Sequence, residues 1–559
     1  MRSLILASIS LSLAACGGSG GSPSNTSSAD AGGGGVSFGG AQDIGEFRAI
    51  LDRGEIPGPS TLDANGFFNE HYNEPPVVTC GGPLCLTPGL SIGKDFLTGA
   101  YQAALQISVN TTVDPTLFPR LPMKLVVVVD HSGSMAQDGR LDKVKGGLHT
   151  MIDNLKDEDR LAIISFDDVV TFDSPFGTTL DRPHLHTVVD ALQPRGGTNI
   201  FDGLNAGFTM LGETPDNEKQ NRIIFLSDGL ATVGNTSETA IISMATENIA
   251  HGIGLTTIGV GNDFDVNLMR GLAERGAGNF YFVEDAAAAT EVFTEELDYF
   301  MSPLALDLRI EATSAPEWTF QEVVGSTLWQ AAPHDGNMQI PAVFFASRTS
   351  QGGPPNMGRR GGGSMIFIQL ATTAHAAGSI ATVTLSYRQP NSTERLTHTV
   401  VLDYDRDPSE MLEQPYLSYP GMAERYAMYN MFLGFRLATL YAQNDWNCAA
   451  AALNATRASA TAWNTTHEGD PDIAADLVLM DKFVANLRTV GANTETKLAN
   501  CARPDEPPNG GSGWGGGDAG NDNWGNDNPR YACSAGAGGG AWFAAILGAV
   551  LIVIRRRRR

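Results

Sequence analysis

The chain has 559 residues, a length that suggests about three or four domains rather than one core. Hydrophobic residues make up 42%, ample for globular folding, while 62 acidic against 37 basic residues argue against nucleic acid and against attraction to anionic lipid. Setting aside Arg2 and Arg555 to Arg559, which lie in candidate removable ends, leaves 62 acids against 31 bases, a field that repels acidic partners but is screened over about 8 Å at physiological salt.

Arg2 followed by an apolar run over 4–14 predicts a secretory leader at 1–15, too short to span a bilayer. It ends Leu13-Ala14-Ala15-Cys16, which resembles the bacterial lipobox. That resemblance implies cleavage before Cys16 and lipidation of the cysteine, palmitate included, with Gly17 rather than an inner-membrane retention aspartate next. Ordinary cleavage with Cys16 a spectator is the alternative. Residues 16–41 are rich in Gly and Ser and read as a flexible tether. An N-terminal region follows over 42–121, with a short helical pattern from Phe47, Ile50 and Leu51 and one or two strands within 101–113.

Residues 122–302 alternate strand and helix patterns. Strands are predicted at 125–130, 161–166, 223–227, 255–260 and 279–283, with an antiparallel edge at 169–172. Helices are predicted near 141–155, 201–211, 237–250, 265–273 and 286–299. This predicts an α/β class, a doubly wound, mostly parallel, Rossmann-like sheet. Val126 to Val129 show no polar alternation, as in a strand buried on both faces, and they deliver Asp130-His131-Ser132-Gly133-Ser134 to the carboxyl edge of the sheet, where ligands bind. Gly196-Gly197-Thr198 precedes a helix, and Ser227-Asp228-Gly229 ends another strand.

Oxygen-only groups in these places suit a hard cation, with the hydroxyls of Ser132, Ser134 and Thr198 as direct ligands and Asp130 and Asp228 binding waters or the ion in turn. A polar turn with a capping role is the bland alternative. The Asp-x-Ser-x-Ser, Gly-Gly-Thr and Ser-Asp-Gly set resembles the metal-ion-dependent adhesion site of von Willebrand factor A (VWA) domains. The resemblance implies Mg²⁺, with Mn²⁺ or Ca²⁺ as alternatives, and an open position for a partner's carboxylate. Residues 44–73, with Arg48 to Gly54 and Phe67 to Glu70, faintly resemble the region preceding the A domain in bacterial envelope proteins. Gly259-x-Gly261 lacks the third glycine of a dinucleotide fingerprint, since Phe264 stands there, and reads as a tight turn.

Residues 303–405 carry short strands at 306–312, 365–370, 381–387 and 397–402, which predicts an accompanying β-sandwich. The strands before Leu121 either join it, making it discontinuous around the inserted α/β domain, or stay separate. The loop 352–363 is expected to move. Asp403-x-Asp405-x-Asp407 imitates a calcium loop but has Pro408 where glycine is required, so an acidic turn is the better reading. Apolar residues at helical spacing over 423–442 and 477–487 predict a small helical domain at 406–503, and 504–532 reads as a disordered linker. Residues 533–559 hold Cys533, a glycine-rich run, an apolar span and five arginines, which resemble the C-terminal sorting tails of myxobacteria and their relatives. That resemblance implies processing near Cys533 and carriage to the surface; a retained inner-membrane anchor is the alternative.

The four remaining cysteines allow three pairings, of which locality favours Cys80–Cys85 and Cys448–Cys501. Taken together, the expectation is a lipid-anchored protein of the bacterial envelope, at the outer membrane or cell surface, held to the membrane by its N-terminal lipid and C-terminal tail. It would bind a partner's acidic side chain through a divalent ion, without enzymatic activity. The runner-up is an envelope scaffold in which the ion is structural. An enzyme using the same ion would need a base near Asp130, and His131 is the one candidate.

Overall fold

A computed structural model describes residues 34–504, apart from 72–79, 114–120, 213–218, 250–251, 262–263, most of 284–302, 347–362, 373–376, 391, 407–413, 468 and 503. The leader, Cys16, most of the tether, most of the helix expected at 286–299, nearly all of the 352–363 loop, Asp407 and everything from 505 through Cys533 to the arginines lie outside the described residues.

The α/β unit is built on seven strands in the spatial order Gly40–Ala41, Asn279–Val283, Gly254–Val260, Gln220–Ser227, Met123–Asp130, Arg160–Phe166 and Val170–Ser174. All pair parallel except the last, an antiparallel edge. Val126 to Val129 are fully buried because the pleat sends Val127 and Val129 into one core and Val126 and Val128 into the other. Helices Arg140–Asn154 and Arg182–Ala191 cover the first face; Ile200–Gly212, Glu238–Ile249 and Val266–Arg275 cover the second. The helix Arg182–Ala191 goes beyond the sequence reading, although its start carries ordinary signals: Pro183 in the first turn and Asp181, whose side chain accepts from the N–H of His184. The Gly40–Ala41 strand joins the sheet from far upstream, beside Asn279 and Phe280.

The strands before residue 121 do join the β-rich region, which is therefore discontinuous around the α/β unit. One hydrogen-bonded path runs Trp318–Val324, Met365–Thr372, Tyr101–Thr111, Gly34–Ser37, Asp335–Phe345, Ala305–Ser314, Gly378–Arg388 and Arg395–Tyr404. Both halves face one core, in which Leu105, Ile107 and Ile366 belong to the same cluster as Ile310, Val383 and Leu385. The short Gly34–Ser37 strand is the link, with Gly34 and Gly35 opposite Thr111 and Asn110, and Val36 and Ser37 opposite Phe345 and Phe344. Asp335–Phe345 alternates exposed and buried through most of its length, yet Gly336 and Pro341 interrupt its sequence signal. Gly336 is required there, because a Cβ would lie 2.4 Å from the Trp329 ring.

Three helices close the described chain: Met422–Ala442, Trp446–Thr466 and Pro471–Thr489. The middle one escapes a periodicity search because its inner face is alanine: Ala449, Ala450 and Ala452 are fully buried. Small side chains permit close approach, and Gly434 faces Thr456 so tightly that a Cβ would lie 2.2 Å from its Oγ1. Asp445 and Asp470 cap the second and third helices through their first backbone N–H groups. This core is not self-contained. Phe47 from Gly45–Asp52 and Phe67 and Phe68 from Ala64–Asn69 enter it, with ring centroids 5.7 Å from Phe67 to Phe432 and 5.4 Å from Phe68 to Phe432. Cys448 is bonded to Cys501, and Cys80 to Cys85. Among the described residues no helix is long and apolar enough to cross a membrane.

Because Phe67 is fully buried against the far end of the chain, Phe67→Ala is expected to cost about 3–5 kcal/mol. Phe172→Ala, whose ring is 57% exposed on the edge strand, should cost about 0.5 kcal/mol or less. Urea denaturation of the two variants checks this; equal losses would remove Phe67 from the core.

Candidate metal centre

Asp130 ends the strand Met123–Asp130, and Asp228 follows the neighbouring strand Gln220–Ser227, so two carboxylates arrive side by side at one edge of the sheet. Both are fully buried. Each has its own partners: Ser227 Oγ donates to Asp130 Oδ2 at 2.6 Å and the N–H of Ser132 to Asp130 Oδ1 at 2.8 Å. Ser134 Oγ donates to Asp228 Oδ1 at 2.7 Å, and Arg140 reaches Asp228 Oδ2 at 2.9 Å.

The loop after Asp130 is held from both sides. The N–H of His131 donates to the carbonyl of Phe166 and the N–H of Gly133 to that of Gly196, at 3.1 and 3.0 Å. This second bond ties the serine loop to the Gly196-Gly197-Thr198 loop. Gly196 has φ +66, and a Cβ there would lie 2.8 Å from Asp168 Oδ2, so the tight approach needs glycine. The N–H of Gly197 donates to Asp168 Oδ1, and the N–H of Thr198 to Thr232 Oγ1, at 3.0 and 2.9 Å. Arg195 Nε donates to Asp167 Oδ2 at 2.6 Å and steadies the same corner.

The five predicted residues are thereby brought to one place. Ser132 Oγ and Ser134 Oγ lie 3.0 Å apart. That matches the edge of an octahedron whose ligands stand about 2.1 Å from a central Mg²⁺, roughly 3 Å. A Cβ on Gly229 would lie 3.7 Å from both Ser134 Oγ and Thr198 Oγ1, so this glycine leaves room between the two hydroxyls. The donor set is all oxygen and carries two buried carboxylates against one guanidinium, which fits a hard divalent cation. Ser132, Ser134 and Thr198 would hold such an ion with the carboxylates beside them, and it would offer an incoming carboxylate a strong charge.

Sequence reasoning missed Arg140 altogether and did not assign Ser227 a role. Ser227 sits inside the quoted tripeptide, so adjacency to Asp228 was the available signal. Arg140 had none, being 88 residues from Asp228 in the chain. Gly261, read as a turn glycine, has φ +76 and lies against the Arg140 guanidinium, where a Cβ would come within 2.4 Å of Nε. His131 does not face solvent. It is buried, with Nδ1 3.0 Å from the carbonyl of Gln193 and Nε2 3.8 Å from Asp167 Oδ2, and burial pushes its pKa down.

Burial lifts the Asp130 carboxyl to about 6 from the ordinary 3.8, the Ser227 and Ser132 hydrogen bonds pulling the other way. The folded protein then binds more protons than the unfolded chain between those values, so this group makes the metal-free fold more stable as pH falls through 6. Ion binding needs the carboxylate, so Mg²⁺ affinity should fall about tenfold from about pH 7 to about pH 5. Calorimetric titration at the two pH values measures it; an unchanged affinity would exclude Asp130 from the ion's surroundings.

Residues 124–295 match the family model of the von Willebrand factor type A domain. Over 197 residues the chain is 27% identical to the uncharacterized protein YfbK of Escherichia coli K12, covering 35% of this chain and 34% of that protein. Over 212 residues it is 30% identical to inter-alpha-trypsin inhibitor heavy chain H3 of Pongo abelii, covering 35% of this chain and 23% of that protein. The chain thus spans about a third of the length of the first relative and less of the second. A solved von Willebrand factor type A structure from Catenulispora acidiphila is similar over 70% of this chain and 88% of that one, with a TM-score of 0.48 and 15% identity. The α/β unit at residues 124–295 is a von Willebrand factor type A domain.

Proposed function

We propose that the protein is a non-enzymatic binding protein of the bacterial envelope, whose VWA domain captures an acidic side chain of a protein partner through Mg²⁺. The observation that carries this reading is the 3.0 Å spacing of the Ser132 and Ser134 hydroxyls beside two buried carboxylates. The mouth of the centre also suits a protein surface: Gly133 is exposed, and Leu230, two residues past Asp228, is 55% exposed. An apolar side chain beside a charged anchor is the composition expected of a small interface. His131, the one candidate base, is occupied by Gln193 and buried, which supports a binding role over a hydrolytic one.

Ser132→Ala and Ser134→Ala should each weaken Mg²⁺ affinity at least tenfold and abolish partner capture from envelope extracts, with stability within about 1 kcal/mol of the parent. Calorimetry and thermal melts report the first and last; capture with Mg²⁺ and again with EDTA reports the second. Equal ion affinity in parent and variants would sink the metal assignment. Weakened ion binding with undiminished capture would favour the scaffold reading, in which the ion is structural.

The anchoring half of the proposal rests on Cys16 and Cys533, each beside an apolar run with arginine on the side that would face the cytoplasm. Protein purified from its native envelope is expected to begin at a lipidated Cys16 and to lack the arginine cluster. Intact-mass measurement decides it: a product still carrying Met1 or Arg559 would contradict the corresponding end.

A further inference from the structure

Two helices on the same face of the VWA sheet carry the same five-residue pattern. Arg140–Asn154 contains His149-Thr150-Met151-Ile152-Asp153, and Arg182–Ala191 contains His186-Thr187-Val188-Val189-Asp190. Residues four apart share a helix face, so each helix presents a histidine and an aspartate to the other. The helices pack so that each imidazole meets the opposite carboxylate: His149 Nε2 lies 3.0 Å from Asp190 Oδ1 and His186 Nε2 3.1 Å from Asp153 Oδ1. The two rings are inclined by 29° and meet through their Nδ1 edges, with centroids 4.9 Å apart and the Nδ1 atoms 2.7 Å from each other.

The protonation pattern follows from these partners. An ionised carboxylate only accepts, so each Nε2 carries the hydrogen and donates it. A neutral imidazole has one N–H, which leaves a lone pair on each Nδ1, and the two lone pairs point at one another. At 2.7 Å that contact is repulsive unless positive charge lies between them, either a single shared proton or a metal ion. A carboxylate behind the distal nitrogen is also how proteins hold metal-binding histidines, because it fixes the tautomer and strengthens the ligand.

We propose that His149 and His186, backed by Asp190 and Asp153, form a second divalent-cation site that takes imidazole-preferring ions such as Zn²⁺. It is separate in chemistry from the oxygen-only centre, since nitrogen ligands select borderline transition ions whereas hydroxyls and carboxylates select Mg²⁺. Two nitrogens bound to tetrahedral zinc at about 2.0–2.1 Å stand roughly 3.3 Å apart, so the rings must part by about half an ångström. Both imidazoles are about 30% exposed, which allows that adjustment and leaves an entry path through which water can complete the shell. Lys145, the neighbouring cation, points its Nζ at the carbonyl of Asp190, 3.0 Å away, and not between the rings. An ion held there would pin the two helices together.

The test uses the full chain and Zn²⁺ alone. The parent should take up Zn²⁺ at micromolar concentration, and His149→Ala and His186→Ala should each weaken that uptake at least tenfold. Asp190→Asn should weaken it about tenfold with both nitrogens intact, and Ser132→Ala should leave it unchanged. Cu²⁺ used as a spectroscopic probe should show hyperfine coupling to two nitrogens in the parent and at most one in either histidine variant. Unchanged Zn²⁺ affinity in both histidine variants, loss of Zn²⁺ binding in Ser132→Ala alone, or no uptake by the parent would each overturn the proposal.

Discussion

Placing two carboxylates out of water at the ends of neighbouring strands is the constraint on which the VWA domain's architecture turns. An isolated buried carboxylate is costly, and the cost is met only where hydrogen bonds and opposite charge converge on it. Asp130 takes a hydroxyl and a backbone N–H, while Asp228 takes a hydroxyl and the Arg140 guanidinium. These demands fix the loops. Ser132 and Ser134 must curl back over the edge of the sheet, Gly196 must adopt a left-handed backbone to let them, and the helix starting at Arg140 must begin where its side chain can reach Asp228. One guanidinium does not balance two carboxylates, and the remaining charge sits beside three hydroxyls whose oxygens can turn their lone pairs to a cation.

Much of this was legible because the relevant signals are local. Four valines without alternation meant two buried faces, and the aspartate that follows them had to emerge at the carboxyl edge. The three short stretches that supply the centre each sit at a strand end or helix start, where a sequence pattern still reflects geometry. Legibility fails where the cause is non-local or where the side chain is small. Arg140 carried no signal because its partner is set by the crossover of the sheet, not by spacing. The helix Trp446–Thr466 was lost because alanine packs by closeness and not by hydrophobic bulk. Asp335–Phe345 was lost to a glycine and a proline that its neighbours accommodate.

The discontinuity of the β-rich region was left open by the sequence for a different reason. Nothing within Tyr101–Thr111 says whether its neighbours lie before or after the inserted domain, and only pairing decides. The outcome ties remote parts of the chain together: Gly34–Ser37 and Tyr101–Thr111 are in register with Asp335–Phe345 and Met365–Thr372, and the helices Gly45–Asp52 and Ala64–Asn69 share a core with the last three described helices. Arg222 adds a cross-link of another kind, its guanidinium 4.8 Å from the Phe344 ring centroid across the boundary between the sheets.

The Gly34–Ser37 and Gly40–Ala41 strands lie two residues apart and belong to different sheets. The second of them runs parallel to Asn279–Val283, with the N–H of Gly40 bonded to Gly278 and that of Gln42 to Phe280. Tension applied N-terminal to Gly34 therefore meets the pairings of Gly34–Ser37 first and reaches these bonds only after those have parted. A pull from that side thus meets the two sheets in series, and the VWA sheet is shielded by the β-rich layer.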